Sequence, residues 1–158
     1  MTICEANVGN IDECVAILKD TEIGRAYYPS EKLIKFKLMQ GLNEDCFFVA
    51  KSENGVMGFI WFNLHGAFAS YPYLHLIVVS KAYRNQGVGK ALLEYFEEYS
   101  LQALKSVTTK TFLVVADFNE SAFSFYIQNG YEKIGEISGL FRPNITERFM
   151  QKQVRKMR

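Results

Sequence analysis

The sequence is short of several things. Of its 158 residues, three are proline, three are cysteine and two are histidine. Acidic and basic side chains nearly cancel, 17 against 18, for a net charge of +1. Such a balance gives no broad field to draw in nucleic acid or an anionic membrane. No apolar run approaches the ~20 residues that a bilayer-spanning helix needs. The opening MTICEANVGN has neither a basic stretch nor an apolar one, so it does not read as a secretion signal. Cys4, Cys14 and Cys46 are odd in number, show no metal spacing and include no Cys-x-x-Cys pair. They read as reduced, mostly buried thiols of a cytoplasmic protein. Repeats, linkers and low-complexity stretches are also missing, so the chain is expected to form one domain over residues 1–158.

What is present is apolar and aromatic. The apolar share is 49% and the aromatic share 15%, enough for a packed core. Phe47, Phe48, Phe59, Trp61, Phe62, Phe68, Tyr71 and Tyr73 crowd one stretch. Most are expected in the core, and a few are candidates to line a pocket. A first strand is expected over residues 2–6. Asn10 and Glu13 have capping-box spacing before an apolar helix face of Ile11, Cys14, Val15 and Leu18. A second helix is expected from Pro29 and Ser30 to Gly41. Strands follow at 46–50 and 56–62, joined by a type I′ turn at Asn54-Gly55. Residues 63–72 read as a loop. Strands are expected again at 74–79, 111–117, 131–138 and from 146 to about 154. The C-terminal Lys152, Arg155, Lys156 and Arg158 read as a solvated end.

The most informative segment runs from Leu74 to Ser100. An apolar strand passes into SKAYRNQGVGK and then directly into a helix. That helix buries Val88, Ala91, Leu92, Tyr95, Phe96 and Tyr99 and is expected to leave Glu94, Glu97 and Glu98 outside. A helix N-terminus offers unpaired N–H groups and positive potential, which suit an anion. Gly87 and Gly89 let the backbone approach a bulky phosphate, and Arg84 and Lys90 add charge. The segment is not a P-loop, because Arg84 stands where the first glycine belongs and Ala91 follows Lys90. Nor is it a dinucleotide fingerprint, since Leu92 occupies the third glycine position.

The remaining pattern, Arg84-x-x-Gly87-x-Gly89, resembles the pyrophosphate loop of the GNAT superfamily of acyl-CoA-dependent N-acyltransferases. A second stretch agrees. From Asn119 to Tyr131 the chain matches the superfamily's N-x-x-A-x-x-x-Y-x-x-x-G-[FY] at every position, through Ala122, Tyr126 and Gly130. The resemblance covers essentially the whole chain. It implies an α/β fold with a mixed, mostly antiparallel sheet of about seven strands and about four helices.

It also implies roles. Arg84, Asn85, Gln86, Gly87, Val88, Gly89 and Lys90 would hold the pyrophosphate of coenzyme A. Ile77, Val78 and Val79 would pair with the pantetheine arm. Asn119, an N-cap by its type and place, would meet the same arm. Tyr126 would assist the departing thiolate. The co-substrate implied is acetyl-CoA, with no metal, no nucleic acid and no membrane. The acceptor implied is an amine of a small molecule or peptide. A second copy of the chain is the one protein partner left open.

The general base is less well marked. Relatives place a glutamate on the central strand, where this chain has Tyr71-Pro72-Tyr73-Leu74-His75. His75 is the candidate, since an imidazole titrates near neutrality. The alternatives are a water relay or an acceptor that arrives neutral, with His75 merely packed. Glu31, Glu44 and Asp45 read as scattered surface. A longer acyl donor and a non-catalytic acyl-CoA-binding module are the competing functions. The missing glutamate favours the latter and Tyr126 opposes it.

Overall fold

A computed structural model of the chain describes residues 1–157; Arg158, the last of the C-terminal basic residues, lies outside them. Seven strands form a sheet in the order β1-β2-β3-β4-β5-β7-β6. By contact the chain falls into two units. The first comprises Met1–Asn63 and His75–Phe96, and the second comprises Leu64–Leu74 and the chain from Glu97 onward.

The first unit begins with β1 (Thr2–Glu5), α1 (Ile11–Lys19), α2 (Glu22–Tyr27) and α3 (Glu31–Glu44). Strands β2 (Cys46–Ser52) and β3 (Gly55–Ala67) follow. Ile11, Cys14, Val15 and Leu18 are all buried, as the helical spacing demands. The start of α1 differs from expectation. The reciprocal cap lies on the 3-10 turn Val8–Asn10 that leads into α1: the Asn7 side chain accepts from Gly9 N–H at 2.8 Å and the Asn10 side chain from Asn7 N–H at 2.9 Å. Glu13 does not reach back to Asn10; it accepts from Val56 N–H at 2.9 Å.

Helix α3 is capped by Ser30, whose hydroxyl accepts from Leu33 N–H at 3.1 Å. It runs through Gly41 rather than ending there. A Cβ at Gly41 would lie 2.5 Å from the Trp61 indole, so this glycine allows a close packing of helix on ring. Helix α2 was not foreseen and brings the count among the described residues to five. It is one and a half turns long, too short to show a period, and Thr21 caps it by accepting from Gly24 N–H. The β2–β3 turn is not type I′. Gly55 has φ +115° but Asn54 is not in the positive region, and the register slips between Ala50 and Lys51. The core of this unit is apolar throughout, built on Leu18, Leu38, Val49, Phe59 and their neighbours.

Residues 63–72 are not a loop. β3 continues to Ala67 and turns back at once into β4 (Tyr71–Val79). The turn residues are Phe68 and Ala69, both at φ +56°, closed by Ser70 N–H to Ala67 C=O at 3.0 Å. Neither is a glycine, which hid this turn from a reading based on residue type.

The second unit holds this hairpin, the C-terminal part of α4 (Val88–Ala103), then β5 (Thr108–Ala116), α5 (Glu120–Gln128), β6 (Glu132–Ser138) and β7 (Thr146–Arg155). β4 and β5 run parallel, with Tyr73 opposite Phe112 and Leu74 opposite Leu113. β7 inserts between β5 and β6, antiparallel to both.

Glu97 corrects the expectation for α4. It is buried, accepts a hydrogen bond from the Tyr131 hydroxyl at 3.0 Å and pairs with Lys152 at 2.9 Å. Tyr131 also meets the Thr111 hydroxyl at 2.9 Å. Lys152 is therefore no part of a solvated tail. No helix among the described residues is long and apolar enough to cross a membrane.

Candidate functional site

In the first unit, β4 ends at Val79 and a short 3-10 turn, Lys81–Tyr83, leads into the exposed stretch Arg84 to Gly87. Asn85 adopts φ +61° and Gly87 φ +81°. Asparagine tolerates the left-handed region better than most residues, and glycine adopts it freely. Nothing lies within 4 Å of the point where a Gly87 Cβ would stand, so the backbone there faces open space. The Gln86 side chain donates to Ala82 C=O at 3.2 Å, which braces the loop from within. Arg84 donates to Val79 C=O at 3.4 Å and so folds back against the end of β4.

Helix α4 then starts at Val88, which is buried, with Gly89 half-buried and Lys90 exposed. The backbone N–H groups of its first turn have no intrahelical acceptor. No acidic residue stands in that turn. The α5 N-terminus in the second unit is different. Asn119 caps it, accepting from Ala122 N–H at 3.4 Å, and Glu120 occupies its first turn. Glu120 is engaged bidentately by Arg148, at 2.6 and 3.2 Å, and Arg148 lies 4.4 Å above the Phe123 ring. The first turn of α4 thus carries no acidic side chain, while the α5 start is matched by its own side chains. Exposed amides, a positive-φ glycine beside open space and two cations suit a pyrophosphate. A carboxylate in the α4 turn would not.

The β4 burial pattern alternates. Pro72, Leu74 and Val78 are buried, and Tyr73, Ile77 and Val79 are half-buried. His75 is exposed in area, yet one ring face is covered by Trp61, with centroids 4.7 Å apart and planes 22° from parallel. Loss of solvation lowers the imidazole pKa below its ordinary value and outweighs the opposite pull of Asp45. Asp45 is not stray surface. Its two carboxylate oxygens accept from Trp61 Nε1 at 2.8 Å and Asn63 Nδ2 at 2.7 Å. Position 45 follows the end of α3, and only the fold shows that the indole reaches it.

In the second unit, α5 places Tyr126 on its buried side. The Tyr126 ring packs edge-on to Tyr131 at 5.7 Å. Gly130 at φ +93° ends the helix, with Tyr131 N–H donating to Tyr126 C=O at 3.0 Å. Burial, and after it the nearby Tyr73, raises the Tyr126 pKa, so its hydroxyl holds its proton at neutral pH. Tyr73 is itself pushed up to about 12, by burial and then by the charge of Glu147. Glu147 is only 2% exposed on β7. Sequence reading missed it, because Thr146 to Val154 is weakly patterned. The one available signal was parity, which puts Glu147 on the same strand face as Phe149. Of the thiols, Cys14 is buried and pushed up to about 12, by burial and then by Glu13, while Cys4 and Cys46 are half-buried.

The strand order and the parallel β4–β5 pair give a mixed α/β sheet, with an exposed glycine-containing turn at the start of the helix that connects the pair. The sequence profile of the acetyltransferase (GNAT) family matches residues 12–131, and the chain belongs to that family. Solved structures show the same fold along the full length. A GNAT-family acetyltransferase from Bacillus cereus has 22% identity and a TM-score of 0.75, covering 99% of this chain and 98% of that one. An aminoglycoside 6'-N-acetyltransferase complexed with coenzyme A has 18% identity and a TM-score of 0.74, covering 100% and 99%. A ribosomal-protein-alanine N-acetyltransferase from Brucella melitensis has 17% identity and a TM-score of 0.73, covering 96% and 99%. No curated protein sequence matches the chain.

Proposed function

We propose that the protein is an acyl-CoA-dependent N-acyltransferase that moves acetyl from acetyl-CoA to a primary amine of a small molecule or peptide. It works as one domain over residues 1–158, in the cytoplasm. The observation that carries this reading is the open turn from Arg84 to Lys90, with Gly87 at φ +81° beside open space at the start of α4. It fits a pyrophosphate, and membership of the acetyltransferase family supports coenzyme A as the molecule that carries it.

Bound there, acetyl-CoA would supply a thioester whose carbonyl carbon the amine attacks. The chain's own residues do the remaining work. Loop amides from Asn85 to Gly89, with Arg84 and Lys90, take the pyrophosphate charge. Main-chain groups of Ile77, Val78 and Val79 take the pantetheine arm as a neighbouring strand would, and Asn119 adds a contact to it. Positioning of two reactants supplies a large share of the rate. Tyr126, which stays protonated, donates to the sulfur as negative charge builds. His75, whose surroundings disfavour the charged ring, is neutral at pH 7 and accepts the amine proton. The rate kcat/KM is expected to fall on the acid side below the ordinary histidine value of ~6.5.

The test is Tyr126→Phe in pre-steady-state transfer, run with acetyl-CoA calorimetry. Transfer is expected to fall by roughly 10²–10⁴-fold while affinity holds, because the interaction belongs to the transition state. Gly89→Val should instead remove acetyl-CoA binding in a folded protein. Parent-rate transfer by the first variant, or parent affinity in the second, would overturn the corresponding assignment.

A further inference from the structure

The side chains around His75 belong wholly to the first unit. β3 and β4 are neighbours in the sheet. Trp61 on the one stacks on His75 of the other, with ring centroids 4.7 Å apart and planes 22° from parallel. The imidazole is the exposed partner and the indole the buried one. A histidine at the surface of a strand ordinarily turns about two side-chain bonds. Here a flat wall sets the plane of its ring.

The wall is itself pinned. Asp45 closes the end of α3, its N–H donating to Gly41 C=O at 2.9 Å. Gly41 brings that helix onto the indole, where a Cβ would come within 2.5 Å of the ring. One oxygen of the Asp45 carboxylate accepts from Trp61 Nε1 at 2.8 Å, and the other accepts from Asn63 Nδ2 at 2.7 Å. On β2, Phe47 stands opposite Trp61 in register, its ring 6.5 Å away and 21° from parallel. The indole cannot swing without breaking a charge-assisted hydrogen bond and leaving its packing on Gly41.

A general base works only when its nitrogen is aimed at the proton it takes. Once an imidazole nitrogen has used its lone pair to bind the amine proton, the ring is a cation. It then lies on a tryptophan face, the best aromatic partner for a cation. The Asp45 charge favours the same form. Toward this cluster α3 presents that charge, while β2 and β3 present uncharged Phe47, Trp61 and Asn63.

We propose that Trp61 and Asp45 are positioning residues, an inference that rests on the acyltransferase reading above. The carboxylate pins the indole, and the indole holds the His75 imidazole in the orientation in which it accepts the proton of the acceptor amine. Neither residue takes the proton itself.

Trp61 is the one tryptophan of the chain, so its emission reports this stack alone. In the full-length protein, emission should fall as the pH drops through the histidine range, about 8 to 5, because a protonated imidazole in contact quenches an indole. His75→Gln should abolish that change. In Asp45→Asn, where an oxygen still accepts from Trp61 Nε1, the change should persist with its midpoint at lower pH, since the charge that favours the imidazolium is gone. Transfer is read as kcat on the alkaline plateau, with the best amine from a panel of amino acids, polyamines, aminoglycosides and peptides. Asp45→Ala should lower kcat roughly tenfold or more at unchanged KM for acetyl-CoA. Asp45→Asn should recover most of that loss. Emission that stays flat in the parent, or that titrates equally in His75→Gln, overturns the proposal. So does a parent kcat in Asp45→Ala, or an Asn variant as slow as the Ala one. Should Asp45→Ala fail to fold, Trp61→Phe makes the same cut, keeping a ring and losing the N–H, with the same fall expected in kcat. A parent chain that acetylates no amine, its emission titrating as expected, refutes the acyltransferase and with it the base that the pair would serve. Transfer that Asp45→Ala leaves at the parent rate refutes only the positioning.

Discussion

The two units bury different chemistry. The first packs Phe47 on Phe59 at 5.3 Å and closes over aliphatic helix faces. The second places Glu97, Ser100, Thr109, Thr111 and Glu147 inside, and among the described residues Asn10 is the one buried polar side chain of the first. An apolar core is the cheaper way to be stable, because buried charge must be matched group by group. The first unit is therefore an apolar scaffold that carries an exposed backbone turn from Arg84 to Gly87. The second buries polar side chains, among them the matched set of Glu97, Lys152, Tyr131 and Thr111.

Truncation at the centre of the scaffold should give the largest effect. Phe59→Ala removes a ring with no exposed surface and is expected to cost about 3–5 kcal/mol in chemical unfolding. Next comes the polar core. Glu97→Ala strands Lys152 and deprives Tyr131 of an acceptor, for a loss of roughly 3 kcal/mol or more. The paired change Glu97→Leu with Lys152→Met should recover most of that loss, since Tyr131 keeps Thr111 and no charge is left alone. If the single variant were as stable as the parent, the contrast between the units would collapse. The smallest effect has the opposite sign. Ser100 Oγ is buried with no hydrogen-bond partner among the described residues, so Ser100→Ala should stabilise by up to ~1 kcal/mol, read as a raised Tm.

Much of the candidate site's backbone geometry was legible in the sequence, because its code is local. The turn from Arg84 to Lys90 and the helix from Asn119 to Gly130 are written in consecutive residues whose types fix backbone geometry. The strand pattern was legible where alternation was clean. What stayed hidden depends on residues far apart. Glu97 looks like an outward helix position until Lys152, 55 residues on, comes to meet it. Asp45 looks like surface until Trp61 donates to it. Gly41 resembles a helix stop, but its purpose is the indole beside it. The β3–β4 turn was missed for another reason: tertiary contacts hold Phe68 and Ala69 in a conformation their residue types do not favour.

That last turn sets stability against usefulness. Each left-handed residue other than glycine costs about 1–2 kcal/mol, and here two stand in succession. Selection for thermal stability alone would favour glycine at position 68, and the same substitution would remove a ring that lies against Phe112 and Phe149. Relief of backbone strain at position 68 should therefore appear as a raised Tm in Phe68→Gly, and an activity screen on the same variant reports separately whether the ring matters to the reaction. An engineer who takes both results together would learn whether that ring is kept for what the protein holds or for how it holds itself.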